Sequence, residues 1–311
     1  MLGAKYVRSR LGGVGSREPL LNRIRISDRT LKWLFLLPSV AILAFLAIYP
    51  FIQGIWMSFH EWPLAADTRA WVGLENYRSL AGSDRFLGSA RATAVFTGVS
   101  VTLELILGVG LALYLRSLSS NWRPIFRTIF ILPMVMTPIA TGLMWRLLLN
   151  GQIGVVNWMI INFLGMTPPS WTSSSTVAMA TVIMIDVWQW TPLIVMIVYA
   201  GLLSIPETMY EAARVDGAPR LAVFRHITLP QIKYMIGIAV VFRLMRSFRS
   251  FDIIWLVTNG GPGTATEILN IYLYRVAFVN LQGGQAAALG IVLLVVTIAI
   301  TMGIIRGLGM Q

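Results

Sequence analysis

The side chains able to carry covalent or acid–base chemistry are few and scattered. The chain has no cysteine, which excludes thiol catalysis, disulfide staples, thiolate zinc sites and iron–sulfur clusters. Its two histidines, His60 and His226, stand far apart, so no histidine-rich metal cluster is expected. Neither falls within an apolar stretch, as a Ser–His protease or metalloenzyme working inside a membrane would need. Gly260-Gly261-Pro262-Gly263 offers a glycine-rich loop, but G-x4-G-K-[ST] is absent and no lysine follows Lys233. The run reads as a tight external turn, and any nucleotide hydrolysis as the work of another chain.

What remains is polar chemistry in apolar surroundings: Glu104, Asp186, Arg243, Arg246, Arg249 and Asp252. Charges there are costly and mark either function or a buried pair. The last four recur every three residues, each turned about 60° from the one before on a helix of about 3.6 residues per turn. On such a helix Arg249 and Asp252 are close enough to pair, whereas Arg243 and Asp252 point to opposite sides. Arg243 and Arg246 are read first as ion-pair partners within a bundle. Glu104 is read as a satisfied interhelical hydrogen bond rather than a proton relay. Two neighbouring runs, Trp188-Gln189-Trp190-Thr191 ahead of Pro192 and Phe248-Arg249-Ser250-Phe251-Asp252, combine flat aromatic faces with hydrogen-bonding groups.

The elements holding these residues must be membrane helices. Of 311 residues, 56% are hydrophobic and only 12% charged, against about 25% charge in ordinary globular chains. The mean hydropathy is +0.72. A soluble fold has too little polar cover for such a composition. An apolar helix needs about 20 residues to cross a bilayer, and six stretches qualify: 33–59, 92–115, 125–149, 176–203, 231–258 and 285–305. The first is too long, and too poor in small residues at its end, to be a cleaved signal peptide. Pro38, Pro50, Pro133, Pro138 and Pro192 fall inside spans and are expected to kink rather than end them.

Lysine and arginine set the orientation. Sixteen lie in the tail before residue 33, in the loops after the second and fourth spans and at the C-terminus; four, Arg69, Arg78, Arg85 and Arg275, lie on the other side. Both termini are therefore expected in the cytoplasm. The +12 net charge becomes a topology signal whose partners are anionic lipid headgroups, not nucleic acid. The expected organisation is a basic tail over 1–32, a six-helix membrane domain over 33–306 and a short cytoplasmic end over 307–311. The fold class is all-α.

One loop, 204–230, reads as structured. Ser204 and Glu207 have capping-box spacing, and Pro206 is tolerated in a first turn. Met209, Tyr210, Ala212 and Ala213 make a small or apolar surface, and Gly217 is placed as a C-cap ahead of Pro219. From spacing alone the segment is either a docking knob for a partner's groove or an interfacial helix lying on lipid.

Glu211-Ala212-Ala213, then Gly217, Ile227 and Leu229-Pro230, follow the pattern EAA-x3-G-x9-I-x-LP, and so the chain resembles the inner-membrane permease subunits of bacterial ABC importers. The resemblance extends to Trp71-Val72-Gly73-Leu74-Glu75-Asn76-Tyr77 and to Thr258-Asn259-Gly260-Gly261-Pro262-Gly263 with Thr266-Glu267. These are similar to carbohydrate permeases of the maltose and glycerol-phosphate group, first-subunit type, in their six-helix form. It implies the type I permease fold in a bacterial inner membrane. It also implies a second permease, an ATPase dimer that holds ATP and magnesium, and an extracytoplasmic sugar-binding protein as partners, with no cofactor in this chain. It implies that Glu211, Ala212, Ala213 and Gly217 form the coupling helix docking on the ATPase. Matched motifs place Gln189, Trp190, Leu193, Met245, Phe248 and Arg249 on the translocation path. The rival reading is an ion-coupled carrier using Glu104, Asp186 or Asp252, which would have no use for a cytoplasmic docking helix.

Overall fold

The computed structural model describes residues 28–65 and 68–307, with side chains from residue 31. It is helical almost throughout, since the long apolar runs leave the backbone no hydrogen-bond partners but its own. The chain divides into two units within its first helix, α1 (Asp28–Ser58), between Gln53 and Gly54. The first unit contributes the uninterrupted helical stretch carrying Pro38 and Pro50.

The second unit begins with a two-stranded antiparallel ribbon, β1 (His60–Glu61) and β2 (Ala70–Trp71), and a short helix, α2 (Glu75–Ala81). Asn76 ties these together by donating to the carbonyls of Ser58 and His60, each at 2.9 Å. The membrane helices follow: α3 (Asp84–Ser117), α4 (Arg123–Val135), α5 (Pro138–Leu148), α7 (Ser175–Leu203), α10 (Leu229–Ser247) and α13 (Gly283–Gly307). Shorter helices lie between them: α6 (Val155–Leu164), α8 (Glu207–Val215), α9 (Arg220–Val223), α11 (Asp252–Thr258) and α12 (Leu269–Tyr274).

Helix α7 is central. It packs against α3, α4, α5, α10 and α11, and 67% of its most apolar window is buried, against 17% for α13. Its Ile194, Val195, Val198 and Leu202 meet Ala112 and Leu115 of α3 and Ile232 and Ala239 of α10. The α3–α7 approach depends on Gly108: a Cβ there would lie 2.6 Å from Ile194 Cγ2. Small residues let membrane helices approach closely enough for dispersion to hold them.

Among the described residues five helices are long and apolar enough to cross a membrane, or six if the bent pair α4–α5 counts as one span. That pair corrects one expectation. Pro133 and Pro192 sit inside helices, but Pro138 ends one and starts another, with α4 and α5 bent by 95°. The proline has no N–H and drives the preceding residue out of the helical region. Thr137 accordingly lies at φ −67°, ψ 145°, and its hydroxyl accepts from the Ala140 N–H at 3.3 Å.

The fifth span corrects another. It leaves the helix after Ser247 and resumes at Asp252. Arg243, Arg246, Arg249 and Asp252 therefore do not share one helix. Arg249 and Asp252 form no ion pair with each other.

Candidate functional site

A cavity of about 670 Å³ opens where both interruptions meet α7. Its wall includes Met134 and Pro138 from the α4–α5 break, Asp186, Trp190 and Leu193 from α7, and Met245, Arg246, Arg249, Ser250 and Asp252 from the α10–α11 break. Four of the six residues expected on a translocation path, Trp190, Leu193, Met245 and Arg249, thus share one wall. Arg246 lies over the ring of Trp190 with its guanidinium carbon 3.4 Å from the ring centroid, an attraction of charge to π-face. A second cavity, of about 700 Å³, lies between α3, α4 and α7, but its walls are almost wholly apolar.

Gln189 and Phe248 do not line the cavity. Gln189 is fully buried and donates from Nε2 to the Met136 carbonyl at 2.9 Å. The α4–α5 break frees that carbonyl by removing the helical donor. Phe248 is half-buried, and its own carbonyl accepts from Asn270 Nδ2 at 2.6 Å. Asn270 went unnoticed in the sequence because its partners, the carbonyls of Phe248 and Ser250, are backbone groups exposed only once the helix breaks. Trp188 packs edge-on against Trp145, with centroids 5.6 Å apart.

In the cavity wall itself, Arg243 is buried between two carboxylates. Its Nε donates to Glu104 of α3 and its Nη2 to Asp186 of α7. All three are buried, so one guanidinium ties three helices. The pairing role expected for Arg243 is what its geometry gives. Glu104 is bonded across helices as expected, with Arg243 as its partner. Arg246 instead stacks on Trp190 and forms no ion pair. Ser247 reinforces the junction by donating to Thr97 at 3.0 Å. Farther along the bundle, Glu267 is buried and held by Arg85 at 2.7 and 2.8 Å and by Arg275 at 2.6 Å, which fixes the glycine-rich turn before α12.

The segment after α7 is helical as expected, with a different cap. Ser204 does not close a capping box: its hydroxyl donates to the Gly201 carbonyl at 2.8 Å, and Pro206 precedes α8. Glu207 instead meets Arg116, at the end of α3, at 3.2 Å. Arg116 also donates to the Tyr210 hydroxyl at 2.6 Å and stacks on its ring, and Tyr210 contacts Thr228 at 3.1 Å. The C-terminal end is a Schellman turn: Ala218 N–H bonds the Ala213 carbonyl at 2.9 Å and Gly217 N–H bonds Arg214 at 3.2 Å, with Gly217 at φ +65°. Glycine suits that conformation because it has no Cβ to clash. Glu211, Ala212 and Gly217 are exposed, whereas Ala213 turns inward and is buried. Val215 is 88% exposed, leaving an apolar side chain at the tip.

Residues 104–308 match the family described as binding-protein-dependent transport system inner membrane component. The chain is 37% identical to a probable ABC transporter permease of Sinorhizobium fredii, over 91% of this chain and 90% of that one. It is 32% identical to the trehalose/maltose transport system permease of Thermococcus litoralis, over 91% and 95%. It is 31% identical to the sulfoquinovosyl glycerol transport system permease of Agrobacterium fabrum, over 90% and 91%. Among solved structures, a bacterial ABC transporter that imports the acidic polysaccharide alginate superposes with a TM-score of 0.78, at 25% identity, covering 89% of this chain and 94% of that one. These matches lend no support to the ion-coupled carrier, and two of its three candidate carboxylates are committed to Arg243. The chain belongs to the binding-protein-dependent inner membrane components of ABC importers: it is a multi-pass permease, a transport subunit whose ATP is hydrolysed on a separate subunit.

Proposed function

We propose that this chain is the first of two different permease subunits in a saccharide importer, and that the cavity walled by Trp190, Leu193, Met245 and Arg249 is its share of the path. The observation carrying this reading is the meeting of the α4–α5 and α10–α11 breaks at one polar-and-aromatic cavity. Irregular backbone at membrane depth is tolerated only where protein or a water-filled cavity satisfies it. The relatives whose names state a substrate carry saccharides or glycosides, which supports the substrate class.

On this reading the basic loops hold both termini in the cytoplasm, leaving a tail over 1–32, a membrane domain over 33–306 and a short end over 307–311. Helix α8 then faces the ATPase dimer, which binds ATP and magnesium. Glu211, Ala212 and Val215 form the contact, Ala213 anchors the helix from behind, and Gly217 makes the turn that presents it. A sugar-binding protein docks at the opposite face. Closure of the ATPase dimer moves α8, and through Arg116 and Tyr210 that motion reaches α3. Gln189 and Phe248 act on the path from behind its wall.

The test is uptake by the complete complex in liposomes, with maltose, trehalose, an acidic oligosaccharide and an amino acid offered in turn with the cognate binding protein. Saccharide uptake is expected. Uptake of the amino acid alone would overturn the substrate class.

A further inference from the structure

The two interruptions framing the cavity are handled in the same way. At the first, the α4 helix stops at Met136 because Pro138 cannot continue it, and the orphaned Met136 carbonyl is taken by Gln189 Nε2, 2.9 Å away on α7. At the second, the chain leaves the helix after Ser247, and the carbonyls of Phe248 and Ser250 are taken by Asn270 Nδ2 at 2.6 and 3.1 Å, from α12. In each case one side-chain amide, reached across a long stretch of sequence, occupies carbonyls that a helix would have bonded. A freed carbonyl inside a membrane protein costs free energy comparable to a lost hydrogen bond. Without the amides, each segment shifts to bring its freed carbonyls to water or to another donor. Either motion would reshape the wall that Met134, Pro138, Arg249 and Ser250 form.

We infer that Gln189 and Asn270 are positioning residues for translocation: paired amide latches that hold the two interrupted spans open around one cavity. The inference rests on the cavity being the path. It also accounts for Gln189 being buried rather than exposed to the cavity, since its amide donor is already spent on backbone. Its Oε1 is buried without a partner, so the side chain is held by that one donated bond.

The absence of native cysteine gives a direct assay. In the complete complex, Ser250→Cys and Met134→Cys report the two breaks, and Ser204→Cys outside the cavity serves as control. Each is modified with a water-soluble thiol reagent and followed on this chain's own peptides. Asn270→Leu is expected to change the rate at Ser250→Cys, and Gln189→Met that at Met134→Cys, by about fivefold, the equivalent of a hydrogen bond worth about 1 kcal/mol. The control rate stays fixed. Saccharide uptake is expected to fall while binding-protein-stimulated ATP hydrolysis persists. If either variant fails to assemble, the smaller Asn270→Ala or Gln189→Ala replaces it; neither can donate to the freed carbonyls. Unchanged rates at both reporters, or equal changes at the control, would overturn the latch. Failure of the unmodified complex to import any saccharide would count instead against the proposed substrate class and leave the labelling result standing.

Discussion

Removing the guanidinium at Arg243 should do more damage than removing the whole ionic cluster. Arg243→Met leaves Glu104 and Asp186 buried with no counter-charge, on helices α3 and α7 that form the centre of the bundle. Breaking a buried pair by deleting one partner costs about 3–5 kcal/mol. For soluble domains of similar length, 1 kcal/mol moves the midpoint by about 2–4 °C, so a fall of roughly 6–20 °C is expected. The matched control is the triple change Glu104→Leu, Asp186→Val, Arg243→Met, which replaces all three charges by apolar side chains. Replacing a buried ionic cluster by well-packed hydrophobic residues is often close to neutral for stability. The assay is thermal unfolding of the detergent-purified complex, followed by size-exclusion of the surviving species. If the single variant melts with the parent, or the triple variant is no better than the single one, the cluster is not the tie between α3, α7 and α10.

Three further outcomes follow from local geometry. Gly217→Val forces a β-branched side chain to φ +65°, at about 1–3 kcal/mol; the chain should still insert, but pull-down of the ATPase and uptake should both weaken. Gly108→Leu drives a side chain into Ile194, where even a Cβ would sit at 2.6 Å, so the yield of assembled complex should drop, while Gly110→Leu, with open space around it, should not reduce it. Arg249→Ala should cut uptake roughly 5- to 150-fold if its exposed guanidinium bonds substrate, by the usual 1–3 kcal/mol for a lost buried hydrogen bond. Because Arg249 and Asp252 make no ion pair, the double change Arg249→Asn with Asp252→Asn should not restore uptake.

What was readable in the sequence depended on how far each signal reached along the chain. The long apolar runs located the spans, because hydropathy is summed over some twenty positions and survives local errors, though α3 begins eight residues earlier than expected and α10 ends eleven residues earlier. The Glu211-to-Pro230 spacing gave α8 and its left-handed Gly217, since both are set by neighbours. The breaks were hidden: Pro138 resembles any other membrane proline until the geometry of Thr137 is known. The triad was half visible. The charges of Glu104, Asp186 and Arg243 stood out, but their pairing spans 139 and 57 residues, and no period links them. The motif match to the carbohydrate permeases assigns Gln189 to the path. The structure commits its amide to a backbone carbonyl, a partner that carries no side-chain signature.

The central claim is that this chain moves solute only as the permease of an ATP-driven assembly. It is tested most directly by comparing uptake into liposomes holding this chain alone under a proton or sodium gradient with uptake by the full complex energised by ATP and loaded binding protein. No solute accumulation is expected in the first case, and in the second accumulation that stops when the ATPase subunit cannot hydrolyse ATP. Gradient-driven accumulation by the chain alone, abolished by Asp252→Asn, would contradict it.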